Sequence, residues 1–492
     1  MIPSLTRLFD TLGRPFAAFG AARRSYDAAG GGRRWRGFND MPNQLAAQLA
    51  ARGPVGKRAR ALVANNPLAA SGAEAWVSAL VGTGIKPQST HPDEAVRTAL
   101  NASFERWTDA ADAEGRSDFY GLQELIMRRT VIDGEAFIAF TYDARCALRL
   151  RLIDAEQVDA SMHRELANGV RIIAGIEFDA AGRRLAYHVF RERPGLPLGT
   201  SFDTVRLPAE DVCHIFRMDV PGQVRGLSWF APVLLRLADY DAAADAQLVR
   251  QKVAALLTGF IIDPNAEPAG FGGQPDSAGN LEGGMEPGAL KVLHPGQDIR
   301  FSDPASVGPE VIEFLKVTAR EIAAGLGVPY ETLTGDLSGT NYSSIRAGLV
   351  AFRRRVEALQ YNVLVYQLCR PVWHRFVTAE VLSGRLPATG FERDPELYLA
   401  ARWITPRQEW VDPAKDSQAE IAAIGAGLMS RRQAVAARGY DLEALDAEIA
   451  ADNARAAALG LTFAAGAKAP AAAESDGPAN AKDQTETEGA GA

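Results

Sequence analysis

The 492-residue sequence is poor in three features that would each decide its class. It has no uncharged apolar run of the roughly 18 residues that a membrane-spanning helix needs. Its three cysteines, Cys146, Cys213 and Cys369, lie far apart and form no CxxC pair, which excludes a disulfide scaffold and favours a reducing compartment. It also lacks a basic excess, because 53 Lys and Arg face 60 Asp and Glu. A general cationic coat for nucleic acid is therefore not expected.

The sequence also lacks a complete motif for nucleotide or metal chemistry. The nearest approach to a phosphate-binding loop, Gly53–Arg58, has its glycines too close together and Arg58 in place of a magnesium-binding hydroxyl. The histidines form no HxxxH pattern, and we interpret His214 beside Cys213 as a core pair. Ser228 is not in a GxSxG pattern, so we predict that it caps a helix. No catalytic, cofactor-binding or metal-binding residue is predicted.

Charge is concentrated at the two ends of the sequence. The first 60 residues carry 11 Lys and Arg against 3 Asp, whereas residues 441–492 carry 3 basic and 10 acidic residues. A basic arm and an acidic tail fit an assembly protein that contacts polyanions or partners at its ends, and two solvated termini are the simpler alternative. Residues 463–492 have no large apolar residue after Phe463 and are predicted to be disordered.

Hydrophobic periodicity predicts a mainly helical α+β fold. Strands are expected between residues 134 and 218, with a hairpin turn at 179–182. A very long helix at 343–383 should carry an apolar seam that packs on another helix, and Pro371 should kink or break it. The seam comprises Ile345, Leu349, Phe352, Val356, Leu359, Val363 and Tyr366. Other helices are expected at 56–82, 92–110, 118–132, 229–258 and 309–327, and after Pro413 and Ser430; a Gly- and Pro-rich insert occupies 264–288.

Three stretches are more specific than these patterns. They read LVANNPLAAS (62–71) continuing to LVGTGIKP (80–87), GVPYETLTGDLSGTNYSSIRAG (327–348) and WVDPAKD (410–416). Together with RSYDAA at 24–29, they closely resemble the lambda-like family of tailed-bacteriophage portal proteins. The resemblance covers about residues 20–450, in the order and spacing of that family.

The resemblance implies a portal fold with a wing, a two-helix stem, a clip inserted between the stem helices, and a crown. Such chains assemble into a cyclic ring with a central channel. The corresponding segments are a basic N-terminal arm (1–55), an α+β wing (56–227), a stem helix (228–258), a clip (259–308), a second stem helix (309–328), a tunnel loop (329–342), a long helix and wing return (343–404), a helical crown (405–462) and a disordered acidic tail (463–492).

The resemblance also implies a structural function without catalysis or a cofactor. A ring of about twelve copies occupies one capsid vertex of the virion, after assembly in the host cytoplasm. Double-stranded DNA is packaged through it by the terminase large subunit and later ejected. The expected protein partners are the head-tail connector protein and the major capsid and scaffold proteins.

A channel that passes DNA of any sequence needs weak, reversible phosphate contacts and no base readout. The resemblance places the loop from Asp336 to Asn341 along the tunnel, and we select Arg346 and then Lys316 as phosphate-contacting cations. A salt bridge between subunits is the alternative for Arg346 and for the run 353–355. The predicted tunnel residues are Asp336, Leu337, Ser338, Gly339, Thr340, Asn341, Arg346 and Lys316. Asn341 or Ser343 should cap the long helix, and Tyr330 and Tyr342 are interpreted as packing residues.

Two other classes remain alternatives. The chain could be a DNA-processing enzyme of a mobile element, either a nuclease built from scattered carboxylates or a packaging ATPase. The missing phosphate loop opposes the ATPase. A membrane-associated pore could use an amphipathic turn formed by Leu5, Leu8, Phe9 and Leu12, which the lack of a spanning run opposes.

Overall fold

A computed structural model gives the architecture of the chain. It describes residues 43–195, 203–255, 259–262, 274–275, 281–282, 298–301, 309–339, 342–406 and 413–461. The predicted basic arm up to residue 42, most of the predicted clip, Thr340, Asn341, Trp410, Asp412 and the acidic tail lie outside the described residues.

Four helices open the described chain: α1 (Gln44–Asn65), α2 (Pro67–Val81), α3 (Glu94–Thr108) and α4 (Phe119–Asp133). The single helix predicted over 56–82 is wrong, because Asn66 is extended and separates α1 from α2. Its side-chain oxygen accepts the N–H of Ala69 at 3.0 Å, and Pro67 needs no hydrogen-bond acceptor at the first helical position. The helices predicted over 92–110 and 118–132 are confirmed.

The strands between residues 134 and 218 form two antiparallel sheets. The inner sheet has the order β3–β2–β9, and the outer sheet has the order β4–β5–β6–β7–β8. The predicted hairpin turn is confirmed, since the N–H of Asp179 donates to the carbonyl of Arg183 at 2.9 Å between β6 and β7. The strands are β1 (Lys86–Ser89), β2 (Glu135–Tyr142), β3 (Leu148–Ile153), β4 (Arg164–Glu165), β5 (Arg171–Ile173), β6 (Ile176–Phe178), β7 (Arg184–Phe190), β8 (Thr204–Pro208) and β9 (Val212–Phe216).

Two long helices follow the sheets. They are α5 (Leu234–Ala255) and α6 (Pro309–Leu326), and the short α7 (Tyr330–Thr334) comes next. Residues 229–233 form turns, so the helix predicted from residue 229 begins later. The hydroxyl of Ser228 accepts the N–H of Phe230 at 3.2 Å, so Ser228 caps this preceding turn instead of the helix itself. Between α5 and α6 the described residues include β10 (Gly259–Ile262), β11 (Gln274–Pro275), β12 (Leu281–Glu282) and β13 (Asp298–Phe301).

The long helix continues past the predicted break at Pro371. It consists of α8 (Tyr342–Leu359), a π-helix (Gln360–Cys369) and α9 (Arg370–Leu382). Pro371 lies in the first turn of α9, at the point where the wider π-helical hydrogen bonding ends. The apolar seam is buried at Phe352, Val356 and Val363, but Tyr366 is 62% exposed. The π-turns change the angle between successive side chains, which ends the seam.

The described part of the chain ends in three helices that we call the terminal helices (residues 413–461). They are α11 (Pro413–Gly425), α12 (Arg431–Ala437) and α13 (Leu442–Leu459), and they follow α10 (Pro395–Leu399) and β14 (Ala401–Ile404). Helices after Pro413 and Ser430 are thus confirmed. Strand β14 pairs with β1, so residues 401–404 contact a strand from the first half of the chain.

One large apolar core joins α2, α3, α4, β2 and the long helix. We call residues 66–233, which contain most of this core, the body. Phe104 lies within 5.7 Å, between ring centroids, of Trp107, Phe119, Trp373 and Phe376. Each fully buried aromatic side chain contributes about 1.5–3 kcal/mol through burial. The fold is mainly helical α+β, as predicted, and the domain borders drawn from the resemblance stay a prediction.

Candidate functional site

The segment predicted as a tunnel loop (329–342) contains the short helix α7 and then a turn organised by Asp336. Gly335 ends α7 in the left-handed region (φ +70°), which redirects the chain into the turn. One carboxylate oxygen of Asp336 accepts the N–H of Ser338 at 3.0 Å and its hydroxyl at 2.5 Å. The other accepts the hydroxyl of Tyr330 at 3.1 Å. Leu337 is 63% exposed within this turn.

Lys316 on α6 faces the same carboxylate. Its Nζ lies 3.7 Å from Oδ2 of Asp336. The hydrogen bonds from Ser338, then that from Tyr330 and the charge of Lys316, lower the pKa of Asp336 to about 2. Asp336 is therefore ionised at neutral pH and offsets the charge of Lys316.

Arg346 lies apart from this turn, on the exposed side of α8. Its guanidinium is 3.2 Å from Oδ1 of Asp416 on α11, so its ion pair forms within one chain. Arg355, further along α8, donates to the carbonyl of Gly327 at 2.6 Å. Both arginines thus connect α8 to other segments of the same chain.

The structure brings Lys316, Asp336, Leu337, Ser338 and Gly339 together and leaves Arg346 on a separate helix. The predicted tunnel residues Thr340 and Asn341 lie outside the described residues. Because α8 starts at Tyr342, Ser343 lies inside the helix, and of the two predicted caps Asn341, outside the described residues, stays a prediction. Tyr330 packs as predicted, with the guanidinium of Arg320 5.3 Å from its ring centroid.

The excluded motifs have structural explanations in the described part of the chain. Gly53–Arg58 is part of helix α1 and not a loop. His214 and Cys213 are both buried, but successive strand residues face opposite sides of the sheet, so they are not a contacting pair. Within the described ranges, no three His, Cys, Asp or Glu residues are grouped as a metal site would require. Nor is any helix in those ranges long and apolar enough to cross a membrane.

Comparison with known proteins decides the family. The family model described as phage portal protein, lambda family, matches residues 31–360, about two thirds of the chain. The chain belongs to the lambda family of phage portal proteins. The matched range includes the motifs at 62–87 and 327–348, and it ends before the motif at 410–416.

Individual portal proteins are more distant. The probable portal protein of Halomonas phage phiHAP-1 is 26% identical over 383 residues, which cover 75% of this chain and 73% of the relative. Portal protein B of Escherichia phage lambda is 23% identical over 368 residues and 67% of each chain. A solved structure, the neck of a native gene transfer agent particle computed with C12 symmetry, aligns with 16% identity and a TM-score of 0.46 over 78% of this chain and 91% of that one.

Sequence reasoning missed a buried charge cluster in the body of this portal protein. Glu135, at the start of β2, is fully buried and accepts two hydrogen bonds from the guanidinium of Arg225, at 2.6 and 2.9 Å. It also accepts the N–H of Gly226 at 2.8 Å and two hydrogen bonds from the guanidinium of Arg52, at 2.9 and 2.5 Å. His214 Nε2 lies 3.0 Å from its second oxygen.

The charge states of this cluster follow from burial and from the two arginines. Burial favours the neutral acid, but Arg225, Arg52 and His214 outweigh it and hold the pKa of Glu135 well below its usual range. Burial lowers the pKa of His214 to about 4, so this ring is neutral at pH 7. The glutamate in the otherwise apolar segment EAFIAF was the only sequence signal, because its partners lie 79 to 90 residues away.

The close approach of two backbones positions Glu135. Gly134 ends α4 with φ +96°, and a side chain there would collide with the backbone of Leu227 and Ser228. This contact sets the loop that carries Arg225 and Gly226 directly over the carboxylate of Glu135. Glycine at residue 134 therefore serves both the turn and the buried ion pair.

Proposed function

We propose that the chain forms the cyclic ring at one capsid vertex through which the terminase large subunit packages double-stranded DNA. The match to the lambda portal family over residues 31–360 carries this proposal. In it, about twelve copies close the ring, DNA later leaves by the same channel, and the head-tail connector protein docks on it. The ring assembles in the host cytoplasm with the scaffold and major capsid proteins and remains in the virion.

Exposed apolar side chains on α5 and α6 support self-association. On α6, Phe314 is 60% and Val317 44% exposed, and on α5 Leu235 is 75% exposed. Apolar side chains clustered on two neighbouring helices are typical of a protein interface. A cyclic ring requires such surfaces, because one face of each subunit contacts a different face of the next.

The paired cations support weak contact with passing DNA. Lys316 faces Asp336 and Arg346 faces Asp416, so a phosphate must compete with a carboxylate for either cation. Unpaired lysines and arginines would release more counterions on binding and hold DNA more tightly. We propose that these two ion pairs lie along the channel and limit the grip on DNA.

The mass of the purified full chain tests the ring. Light scattering behind a sizing column should show a particle of about 0.6 MDa, twelve times the 52.7 kDa chain, with a central hole in negative stain. The change Phe314→Asp should reduce ring formation, whereas Leu382→Asp, at an exposed leucine outside α5 and α6, should not. A compact dimer with nuclease or ATPase activity would overturn the proposal.

DNA retention by the ring tests the channel residues. Removing the carboxylate with Asp336→Asn frees Lys316, so DNA binding should tighten and its salt dependence should steepen by about one released ion per engaged subunit. Asp452→Asn, at an exposed pair with Arg455 on α13, is the matched control. Equal effects of the two variants would contradict a channel position for Lys316 and Asp336.

A further inference from the structure

Helix α1 is attached to the body by ion pairs as well as by apolar contacts. It carries Arg52, Lys57, Arg58 and Arg60 and no acidic residue. Besides its bond to Glu135, Arg52 donates to the carbonyl of Ala155 at 3.0 Å. Arg60 donates to Asp133 at 2.7 Å and also contacts Glu156.

Apolar burial contributes less to this attachment than it does for α2. Of the 22 residues of α1, only Gly56 and Ala59 are fully buried, while Val55, Leu62 and Val63 are partly buried and pack against the main core. By contrast, α2 buries eight of its 15 residues, including Trp76 and Leu80. Because apolar burial stabilises in proportion to area, α1 is held far less firmly than α2.

The middle of α1 is also a poor helix. Its sequence places Gly53, Pro54 and Gly56 close together, and Pro54 provides no N–H for the helical hydrogen bonds. A methyl group at either glycine would meet no atom within 4 Å, so packing does not require glycine there. Each glycine costs about 1 kcal/mol of helix stability relative to alanine.

The site that receives Arg52 is complete without it. When α1 is removed, Glu135 keeps the paired guanidinium of Arg225, the N–H of Gly226 and the contact with His214. One carboxylate and one guanidinium already balance in charge, and Arg52 adds a second cation to a buried pair. Undocking of α1 therefore leaves no buried charge unpaired at Glu135, which avoids the largest penalty of breaking buried ion pairs.

We propose that α1 is a detachable cationic strap that leaves the body when duplex DNA competes for its arginines, while the body stays folded. The four cations of α1, with Lys57 and Arg58 already exposed, suit a polyanion and not an apolar partner. Detachment breaks ion pairs and half-buried apolar contacts, and it opens the extended joint at Asn66.

Hydrogen exchange of the full-length protein tests detachment. Between about 0.05 and 0.5 M NaCl, amides of α1 should exchange at least about tenfold faster, because salt screens the ion pairs that hold it. Amides of α2 and β2 should not change. At low salt, Arg52→Gln should produce the same faster exchange of the α1 amides. The double variant Gly53→Ala with Gly56→Ala should oppose this faster exchange. Unchanged α1 exchange, or equal loss of protection in β2, would overturn the strap.

DNA affinity separates a strap from an ordinary basic surface. In fluorescence anisotropy with a duplex oligonucleotide, the Arg52→Gln variant should bind about two- to tenfold more tightly than the native protein. The substitution deletes a cation, but it also frees the strap to bind DNA. The glycine-to-alanine pair should bind more weakly. Arg455→Gln, at an exposed cation far along the chain, should not tighten binding. Weaker binding by Arg52→Gln, or no change, would overturn DNA as the ligand. The mass of the assembled ring is measured separately. Failure of the strap proposal can therefore be distinguished from failure of the ring proposal.

Discussion

In the body, α2 alone buries eight residues, whereas the terminal helices together bury only Ala434, Val435 and Ala456 among their described residues. The body also encloses its charges, as at Glu135, while the terminal helices leave Ile421, Leu428 and Leu459 between 67% and 84% exposed. Most helical stability in proteins comes from packing of an apolar face, so tertiary or quaternary contacts must supply much of the stability of α13. The body shares one apolar core with the long helix, whereas the terminal helices depend on polar contacts with other segments or on other copies.

Polar contacts connect the terminal helices to the rest of the chain. Arg97 on α3 lies 3.0 Å from Glu443 on α13, and the amide of Gln88 on β1 donates to Asp441 at 2.7 Å. The Arg97–Glu443 ion pair is partly exposed, so it should contribute about 1 kcal/mol and weaken in salt. The two regions should therefore respond differently to mutation, acid and salt.

The largest effect is expected inside the body. Arg225→Gln leaves Glu135 without its bidentate partner, and breaking a buried pair typically costs about 3–5 kcal/mol. Urea denaturation followed by tryptophan fluorescence should show this loss, while Arg455→Gln should leave the transition unchanged. A loss below about 1 kcal/mol would mean that Arg52 substitutes for Arg225.

Mild acid should weaken the body before the terminal helices. The folded-state pKa of His214 is about 4, below its ordinary 6.5, so the unfolded chain binds the proton first and stability falls as the pH drops from 6.5 towards 4. The pKa of Glu443 is held below its ordinary 4.5, chiefly by the hydrogen bond from Arg97. The stability that this ion pair contributes is therefore present above pH 4.5 and is lost only as the pH falls through the lowered pKa. Hydrogen exchange at pH 6.5 and pH 5, corrected for intrinsic rates, should show loss of protection in β9 and its partner β2 and none in α13. His214→Gln should abolish that loss.

A smaller, local effect is expected from the cap of α12. The hydroxyl of Ser430 accepts the N–H of Gln433 at 3.1 Å, and the Gln433 side chain accepts the N–H of Ser430 at 2.9 Å. Ser430→Ala should cost about 1 kcal/mol and raise exchange within Arg431–Ala437 only. The control Ser417→Ala removes a hydroxyl that bonds a carbonyl within its own helix. If exchange also rose in the body, the two regions would not be independent.

The smallest effect is expected at the junction of the two regions. Arg97→Gln should cost no more than about 1 kcal/mol and should loosen α13 at low salt. The difference from the native protein should vanish at high salt, where the ion pair is screened. Exchange of α13 measured at two ionic strengths checks this, and a difference that persisted in high salt would point to apolar attachment.

Local sequence patterns predicted the fold where neighbouring residues determine it. The segment EAFIAFTY forms β2 over its whole length, and the turn from Asp179 to Gly182 is present. The partners of Glu135 were not predictable, because folding brings them together from distant positions in the chain. No pattern marked the π-helix or the pairing of Arg346 with Asp416, since both depend on tertiary packing. The motif at 327–348 located the turn at Asp336, but its hydrogen bonds required the structure.

The pairing of β1 with β14 has a consequence for the order of folding. Ser89 lies opposite Ala401, so about 310 residues of chain separate the two partners of this small sheet. During synthesis β1 emerges long before its partner, and its backbone groups stay unpaired until nearly all of the chain has left the ribosome. Contacts of such wide sequence separation form slowly. Closure of the β1–β14 sheet should therefore be among the last steps of folding, which keeps a nascent chain from completing the monomer early.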